Sequence, residues 1–330
     1  MTRNRGWVLA GRPKDRVEES HFALIEGDVP ALQDGQALIK VQYLSLDPYM
    51  RGRMDDAKSY AAPQPIGAVM IGGTVGKVIE SRTGEYRVGD VVVCMGGWQE
   101  YFVSDRRGLR KIDTRYVAAS AYLGAVGMPG ITAWYGLLRI GKPKAGETVV
   151  VSAASGAVGS VVGQLAKIHG CRAVGFAGGP AKCDYAVGEL GFDACIDYKA
   201  DGAREAFAAA TPDGVDVLFE NVGGAVFDLA LTRMNVSGRV ALCGLIAGYG
   251  GQDIALTNVR SILVNRLTIQ GFIVSDHTDV WPDAIHELAR HVGSGALKYR
   301  ETISAGIESA PRAFIGLLKG ENLGKQLVEL

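Results

Sequence analysis

Apolar and polar positions change their rhythm partway along the chain. Through roughly the first 110 residues they come in short runs broken by glycine, as at 6–10, 37–41, 73–80 and 88–93. Period-two patterning bounded by turn residues predicts strands. Helical spacing is poor there, so an irregular β-barrel-like domain is expected.

The texture shifts near Gly124, and from Thr148 strand-like and helix-like stretches alternate. The apolar run 149–151 leads through a glycine turn into a helix over 157–169, which Gly170 stops at the C′ position. A strand over 172–176 follows. Pro180 then opens a helix, where its missing N–H costs nothing, and Gly191 closes it. Further strands are expected at 194–196, 215–219, 238–242 and 267–272, with helices at 203–210 and 225–234. This alternation predicts an α/β fold with a doubly wound parallel sheet. The end differs again: a helix at 279–291, a strand at 299–303, a helix capped by Ser309 and reaching Leu318, and a final strand over 325–330. A tail carrying such extra elements is expected to return and complete the first domain.

Composition narrows the partners. The chain has 330 residues, 35 Lys+Arg and 35 Asp+Glu, so it lacks the basic excess of a protein that lives on phosphate backbones. Its 48% hydrophobic fraction supports a sizeable core and argues against extended disorder. The five cysteines, Cys94, Cys171, Cys183, Cys195 and Cys243, include no Cys-x-x-Cys pair, so neither a zinc ribbon nor a dithiol redox motif is read. Met1 to Gly6 lacks the apolar run of a secretory signal, and a reduced cytoplasmic setting is expected. Two uncharged stretches, 116–138 and 148–166, are interrupted by glycine, proline or serine and read as buried elements rather than membrane spans.

The strongest motif is Val151-Ser152-Ala153-Ala154-Ser155-Gly156-Ala157-Val158-Gly159. Ala154, Gly156 and Gly159 occupy the three glycine places of a dinucleotide fingerprint between a strand and a helix. The second glycine lets backbone approach a pyrophosphate, the third allows close helix–sheet packing, and the helix N-terminus attracts the phosphates. Roughly 20 residues on, where NAD sites place an acid for the ribose 2′-hydroxyl, the chain reads Phe176-Ala177-Gly178-Gly179-Pro180-Ala181-Lys182. No acid is present. A lysine attracts a 2′-phosphate that a carboxylate would repel, so the coenzyme is NADP. The bland alternative for Lys182 is a solvated helix residue.

With these motifs in view, the chain resembles the zinc-independent medium-chain dehydrogenase/reductase superfamily, in the branch of prostaglandin reductases, alkenal double-bond reductases and curcumin reductase-like enzymes. The carriers are Leu44-Ser45-Leu46-Asp47-Pro48-Tyr49-Met50-Arg51-Gly52, Gly130-Ile131-Thr132-Ala133-Trp134-Tyr135-Gly136-Leu137, Ser155 to Gln164, and Glu220-Asn221-Val222-Gly223-Gly224. The resemblance covers nearly the whole chain. It implies a GroES-like catalytic domain over 1–124, a Rossmann NADP-binding domain over 125–295, and a return to the catalytic domain over 296–330. Zinc-dependent relatives carry a catalytic Cys and a Gly-His-Glu segment. Here those stretches read Ser45-Leu46-Asp47-Pro48-Tyr49 and Pro65-Ile66-Gly67-Ala68-Val69-Met70, so no metal site is expected. His286 and His291 stand at i and i+5 and point apart, which reads as a solvated helix end rather than a zinc helix.

The resemblance also implies site roles. Ala154, Gly156, Ala157, Val158 and Gly159 would hold the pyrophosphate, and Lys182 and Tyr198 would flank the 2′-phosphate. Asn221 would sit near the nicotinamide ribose. Cys243, Gly244, Leu245 and Ile246 would line the adenosine or ribose side. Phe272, Ile273 and Val274 would face the carboxamide, and Asn322 would reach in from the tail. Core packing is the competing reading for Tyr198 and Phe272. The implied reaction is reduction of an enone or enal carbon–carbon double bond with hydride from NADPH. Tyr249, in a glycine-rich loop, and Tyr49 are the candidate donors to the developing enolate. Arg51 reads as a domain-interface ion-pair residue. The partners expected are a small-molecule enone or enal and a second copy of the chain, with no nucleic acid and no membrane. A quinone reductase and a catalytically silent NADPH-binding protein stay open as alternatives.

Overall fold

The computed structural model describes residues 2–330, and Met1 lies outside the described residues. The chain divides into two compact units. One spans Gly124–Arg300; the other combines the chain up to Leu123 with Glu301–Leu330.

The central unit is built on six parallel strands: β1 (Thr148–Val151), β2 (Arg172–Ala177), β3 (Ala194–Asp197), β4 (Val215–Glu220), β5 (Met234–Leu242) and β6 (Thr268–Gly271). Their spatial order is β3-β2-β1-β4-β5-β6, and every neighbouring pair is parallel. The chain therefore builds outward from β1 on one side, returns, and builds outward from β4 on the other. This is the Rossmann strand order, with its switch point between β1 and β4. Strands buried on both faces read as continuous apolar runs, and β1 is buried at all four residues.

Five helices matter to the site: α1 (Gly159–Ile168), α2 (Pro180–Gly188), α3 (Ala203–Ala210), α4 (Gly224–Leu231) and α5 (Trp281–Gly293). Gly170 follows α1 with φ +75°, the left-handed conformation a helix stop requires. A Cβ at Gly163 on α1 would stand 1.9 Å from the Phe192 ring, so glycine there lets the ring pack against the helix. One face of the sheet closes over Val150, Val174, Phe176, Phe207, Leu218, Phe227 and Val240.

The other unit carries a mixed sheet in the order Glu301–Ala305, Lys325–Glu329, Ala37–Ser45, Thr74–Ser81, Val91–Cys94 and Arg110–Lys111. Tyr101–Ser104 pairs with Ala37–Ser45 as well. The tail strand runs antiparallel beside Ala37–Ser45, with Leu327 opposite Ser45. Phe314, on the helix Ala310–Leu318, meets the Trp98 ring edge-on at 5.5 Å, and Phe22 stacks on Trp98 at 5.3 Å. The tail thus belongs to this GroES-like unit through both hydrogen bonds and its aromatic core.

Several expectations need correction. Met234 starts β5 rather than ending a helix, because α4 stops at Leu231 and the Val215 amide donates to the Arg233 carbonyl. Ser309 sits at a helix cap position, yet its hydroxyl donates to the Gly306 carbonyl and makes no capping bond. Arg51 is buried and donates to Asp55 at 2.5 Å and to the Asp15 carbonyl at 3.1 Å, all within its own unit. His286 is exposed, but His291 is buried, and Glu287 accepts from the Trp134 indole at 2.8 Å, so this is no solvated helix end. No described helix is long and apolar enough to cross a membrane.

Candidate active site

The turn after β1 is where the sheet's two halves diverge. Ala153 adopts φ +53°, a strained left-handed conformation for a residue with a side chain. It reverses the chain so that the Ala154 amide donates to the Phe176 carbonyl of β2 at 2.9 Å. A Cβ on Gly159 would lie 2.3 Å from the Ala153 carbonyl oxygen, so only glycine brings the start of α1 this close to the strand. A Cβ on Gly156 would meet only that same oxygen, at 3.2 Å. The protein itself leaves the space over Gly156 open, as close approach of a pyrophosphate requires. Ala157 and Val158 complete the turn and lead into α1, where the amides of Ser160 and Val161 donate back to the Gly156 and Val158 carbonyls at 3.0 Å.

Across the switch point, Glu220 ends β4 fully buried. Its Oε1 accepts from the Ser152 hydroxyl at 2.9 Å and from the amides of Val222 and Gly223 at 2.5 and 2.7 Å. Asn221 completes the link: its amide donates to Ser152 Oγ at 2.7 Å and its Nδ2 to the Ser152 carbonyl at 2.8 Å. The ends of β1 and β4 are thereby locked together. Glu220 Oε2 is buried without a hydrogen-bond partner among the described residues. Burial outweighs the bonds at Oε1 and pushes the carboxyl up to about 7.

The segment after β5 lies against this turn. The amides of Cys243 and Gly244 donate to the Glu220 carbonyl at 2.8 and 3.1 Å, and Ile246 donates to that of Asn221 at 3.3 Å. Burial, helped by the Glu220 charge, pushes the Cys243 thiol up to about 12, as expected of a small packing residue. A Cβ at Gly223 would stand 3.0 Å from Leu245. Tyr249 follows a short helical turn over Ile246–Gly248 and is half-buried. Phe272 packs against Tyr135 at 5.5 Å and Phe219 at 6.2 Å. The carbonyls of Ile273 and Val274 accept locally from the amides of Asp276 and His277.

A second cluster forms where β2 and β3 end. Lys182 is part-buried in α2, and burial together with the nearby Lys199 charge lowers its pKa. A Cβ at Gly178 would stand 3.0 Å from the Tyr198 hydroxyl and 3.1 Å from Lys199 Cε. Tyr198 is 40% exposed, and the Lys199 ammonium lies 5.8 Å from its ring centroid. Asp197, which precedes Tyr198, accepts at Oδ1 from the amides of Gly179 and Lys199 at 2.9 and 3.0 Å. Two cations beside a phenol could hold a phosphate group. Sequence reasoning passed over Lys199, Glu220 and Ser152. Adjacency to Tyr198 marked the first, and an acid directly after the apolar run Val217-Leu218-Phe219 marked the second.

In the GroES-like unit, Tyr49 opens the short helix Tyr49–Arg53. Burial and the Asp47 charge hold its phenol well above the ordinary range, so it stays protonated and able to donate. Asp47 itself is buried, pairs with Lys325 Nζ at 2.9 Å and accepts from Ser45. Asn322 belongs to this unit too, its Nδ2 donating to the Gly324 carbonyl at 2.7 Å. No group of three or more His, Cys, Asp or Glu arranged to hold a metal occurs among the described residues.

Two family descriptions match the chain: "N-terminal domain of oxidoreductase" over residues 5–112 and "Zinc-binding dehydrogenase" over 157–290. The chain is 46% identical to the NADPH-dependent curcumin reductase of Escherichia coli (strain K12), over 99% of this chain and 97% of the relative. It is 40% identical to the NADP-dependent 2-alkenal reductase of Nicotiana tabacum, over 97% and 94%. The solved structure of CurA from Vibrio vulnificus in complex with NADPH superposes with a TM-score of 0.94 at 44% identity, covering 98% of each chain.

Proposed function

This chain belongs to the zinc-independent medium-chain dehydrogenase/reductase superfamily and is an NADPH-dependent oxidoreductase, and from that premise we propose that it reduces the carbon–carbon double bond of α,β-unsaturated ketones and aldehydes. Bound NADPH supplies the hydride that adds to the substrate β-carbon. The chain's own work is to hold the coenzyme, orient the alkene and stabilise charge on the carbonyl oxygen.

Gly156, Ala157, Val158 and Gly159 hold the pyrophosphate at the start of α1, with Ala154 shaping the turn. Lys182, Tyr198 and Lys199 hold the 2′-phosphate. Asn221, fixed through Ser152, faces the ribose, and Cys243, Gly244, Leu245 and Ile246 line the adenosine or ribose side. Phe272, Ile273 and Val274 bound the carboxamide, and Asn322 contributes from the tail. Tyr249 donates to the enolate oxygen, and Tyr49 is the second phenol available to it.

One observation carries this reading. Where zinc-dependent relatives place ligands, this chain has Ser45 and Asp47, joined to each other and to Lys325. A carboxylate neutralised by a buried ammonium is a poor Lewis-acid anchor, so polarisation of the substrate carbonyl falls to protonated hydroxyls. The name of the tobacco relative supports the same substrate class. The exposed Val259, Leu263 and Val264, with Leu263 80% exposed, and the edge strand β6 support a homodimer. The five free thiols support a cytoplasmic setting.

The test is NADPH consumption across enals, enones and quinones, with products identified by mass spectrometry. The expected product is the saturated carbonyl, carrying deuterium at the β-carbon when the coenzyme is deuterated at its transferring position. Turnover of quinones alone would overturn the reading.

A further inference from the structure

The chain from Tyr249 to Leu256 forms neither helix nor strand, and it begins with the candidate donor phenol. Among the described residues, the amides of Gln252 to Leu256 donate to no backbone carbonyl. Gly250 and Gly251 follow Tyr249, and Gly251 takes φ +81°. A strap without its own hydrogen-bond ladder has its shape set by what fastens it.

Both ends of the strap are fastened to residues 221–231. At the leading end, the amides of Ile246 and Ala247 donate to the Asn221 and Val222 carbonyls at 3.3 and 2.9 Å. At the trailing end stands Asp228, the fifth residue of α4. Its Oδ1 accepts from the amides of Thr257 and Asn258 at 2.7 and 2.8 Å. Its Oδ2 accepts from the Thr257 hydroxyl at 2.6 Å and from Asn258 Nδ2 at 2.7 Å. The Ser261 hydroxyl adds a bond to the Leu231 carbonyl at 2.6 Å. Burial opposes charge on Asp228, but the bonds from Thr257 and Asn258 outweigh it and hold the carboxyl below its ordinary range. All four donors therefore meet a carboxylate at neutral pH, which makes each bond charge-assisted. Between the ends, Ile254 fills the space over two glycines. A Cβ at Gly248 would stand 3.0 Å from its Cδ1, and one at Gly223 3.2 Å from the same atom. Leu256 packs on the sheet core.

We propose that Asp228 is a positioning residue for the reduction: a carboxylate clasp that fixes the trailing end of the strap and so sets where the Tyr249 phenol stands. The proposal rests on the donor role given above to Tyr249. Asp228 takes no part in the chemistry itself. A donor to a developing enolate acts only within hydrogen-bond reach, and a misplacement of about 1 Å costs up to about a hundredfold in rate. Without the clasp, two backbone amides, a hydroxyl and a side-chain amide lose their acceptor, and the glycines let the strap move. The amides of Cys243 and Gly244 keep their bonds to the Glu220 carbonyl, so the chemical step suffers more than coenzyme affinity.

The test uses the full-length protein with Asp228→Ala, Asp228→Asn, Tyr249→Phe and the combination of Asp228→Ala with Tyr249→Phe. The measurements are hydrogen exchange by mass spectrometry, NADPH titration and steady-state kinetics with one enone. For Asp228→Ala, exchange in peptides covering 249–258 should quicken about tenfold or more while the parallel sheet is unchanged. The kcat should fall about tenfold, and NADPH affinity should shift by less than about twofold. Asparagine keeps one oxygen for the two amides, so Asp228→Asn should lose about threefold in kcat, and it carries the same measurements should the alanine variant not fold. In the Tyr249→Phe background, Asp228→Ala should cost less than about twofold more, because both changes act through one group. Unchanged exchange in the strap overturns the clasp. Faster exchange with unchanged kcat overturns the positioning role. A loss of NADPH affinity as large as the loss of kcat, or an undiminished effect in the Tyr249→Phe background, overturns the route through Tyr249. An unchanged kcat for Tyr249→Phe alone ends the donor reading, a result separate from the exchange measurement that decides the clasp.

Discussion

At the base of the returning tail, in the GroES-like unit, buried charges complete one another. Lys325 donates to Asp47 and to the Leu46 carbonyl, and Asp47 accepts from Ser45. At the strand ends of the parallel-sheet unit one does not: Glu220 keeps one buried oxygen without a partner among the described residues, while burial and the nearby Lys199 charge lower the pKa of Lys182. The first arrangement is a finished scaffold that pins a tail strand. The second leaves a buried carboxyl incompletely satisfied beside Ser152, at the end of β1. Natural proteins satisfy buried polar groups, so the places where satisfaction is incomplete point to ligands.

The comparison breaks most visibly on the scaffold side. Lys325→Ala strands Asp47 as a buried charge and should cost about 3–5 kcal/mol of stability, read from urea unfolding. The double variant Lys325→Met with Asp47→Leu should recover most of that loss. A single-variant loss under about 1 kcal/mol would mean the pair is not the anchor it looks like.

Glu220 sharpens the other side. Its carboxyl sits at about 7 in the folded chain against an ordinary 4.5, so the folded state binds the proton more tightly than the unfolded state. Stability is therefore fully present below about pH 4.5 and declines as pH rises to about 7, by at most about 3 kcal/mol at 1.36 kcal/mol per unit. Glu220→Gln should lack this component of the pH slope. Unfolding curves from pH 5 to 8 that are parallel for both proteins would remove the buried charge from the account.

Lys182→Ala should weaken NADPH by about 10- to 150-fold, the worth of a charge-assisted hydrogen bond, and leave NADH nearly unchanged. Equal losses for both coenzymes would end the 2′-phosphate assignment. The smallest effect expected is on the chemical step. Tyr249→Phe keeps the ring and deletes the donor, and kcat for a good enone should fall about ten- to a hundredfold while NADPH binding holds. An unchanged kcat would reduce Tyr249 to a packing residue.

Much of the central unit was legible because its signals are local. The run Val149-Val150-Val151, the glycine turn and the helix that follows obey periodicities that a short window reveals. Gly159 and Gly170 announced a tight approach and a helix stop, and both occupy those places. The boundary at Met234 misled because its apolar spacing also suits the end of α4. Ser309 misled because a serine before a helix signals a cap whether or not its hydroxyl takes part.

The sequence by itself determined the strand–turn–helix that carries a dinucleotide fingerprint, the lack of an acid where an NAD enzyme needs one, and the alternation that builds a doubly wound sheet. These rest on backbone geometry and on charge within a few residues. Only the tertiary structure decided that Lys199 stands near Lys182, that Glu220 turns inward on Ser152, and that Lys325 closes on Asp47 from the far end of the chain. Those contacts depend on strand order and register, where a shift of one residue turns every side chain to the opposite face. Register is chosen by packing of the whole core against the entropy of closing long loops, and no short stretch of sequence carries that balance.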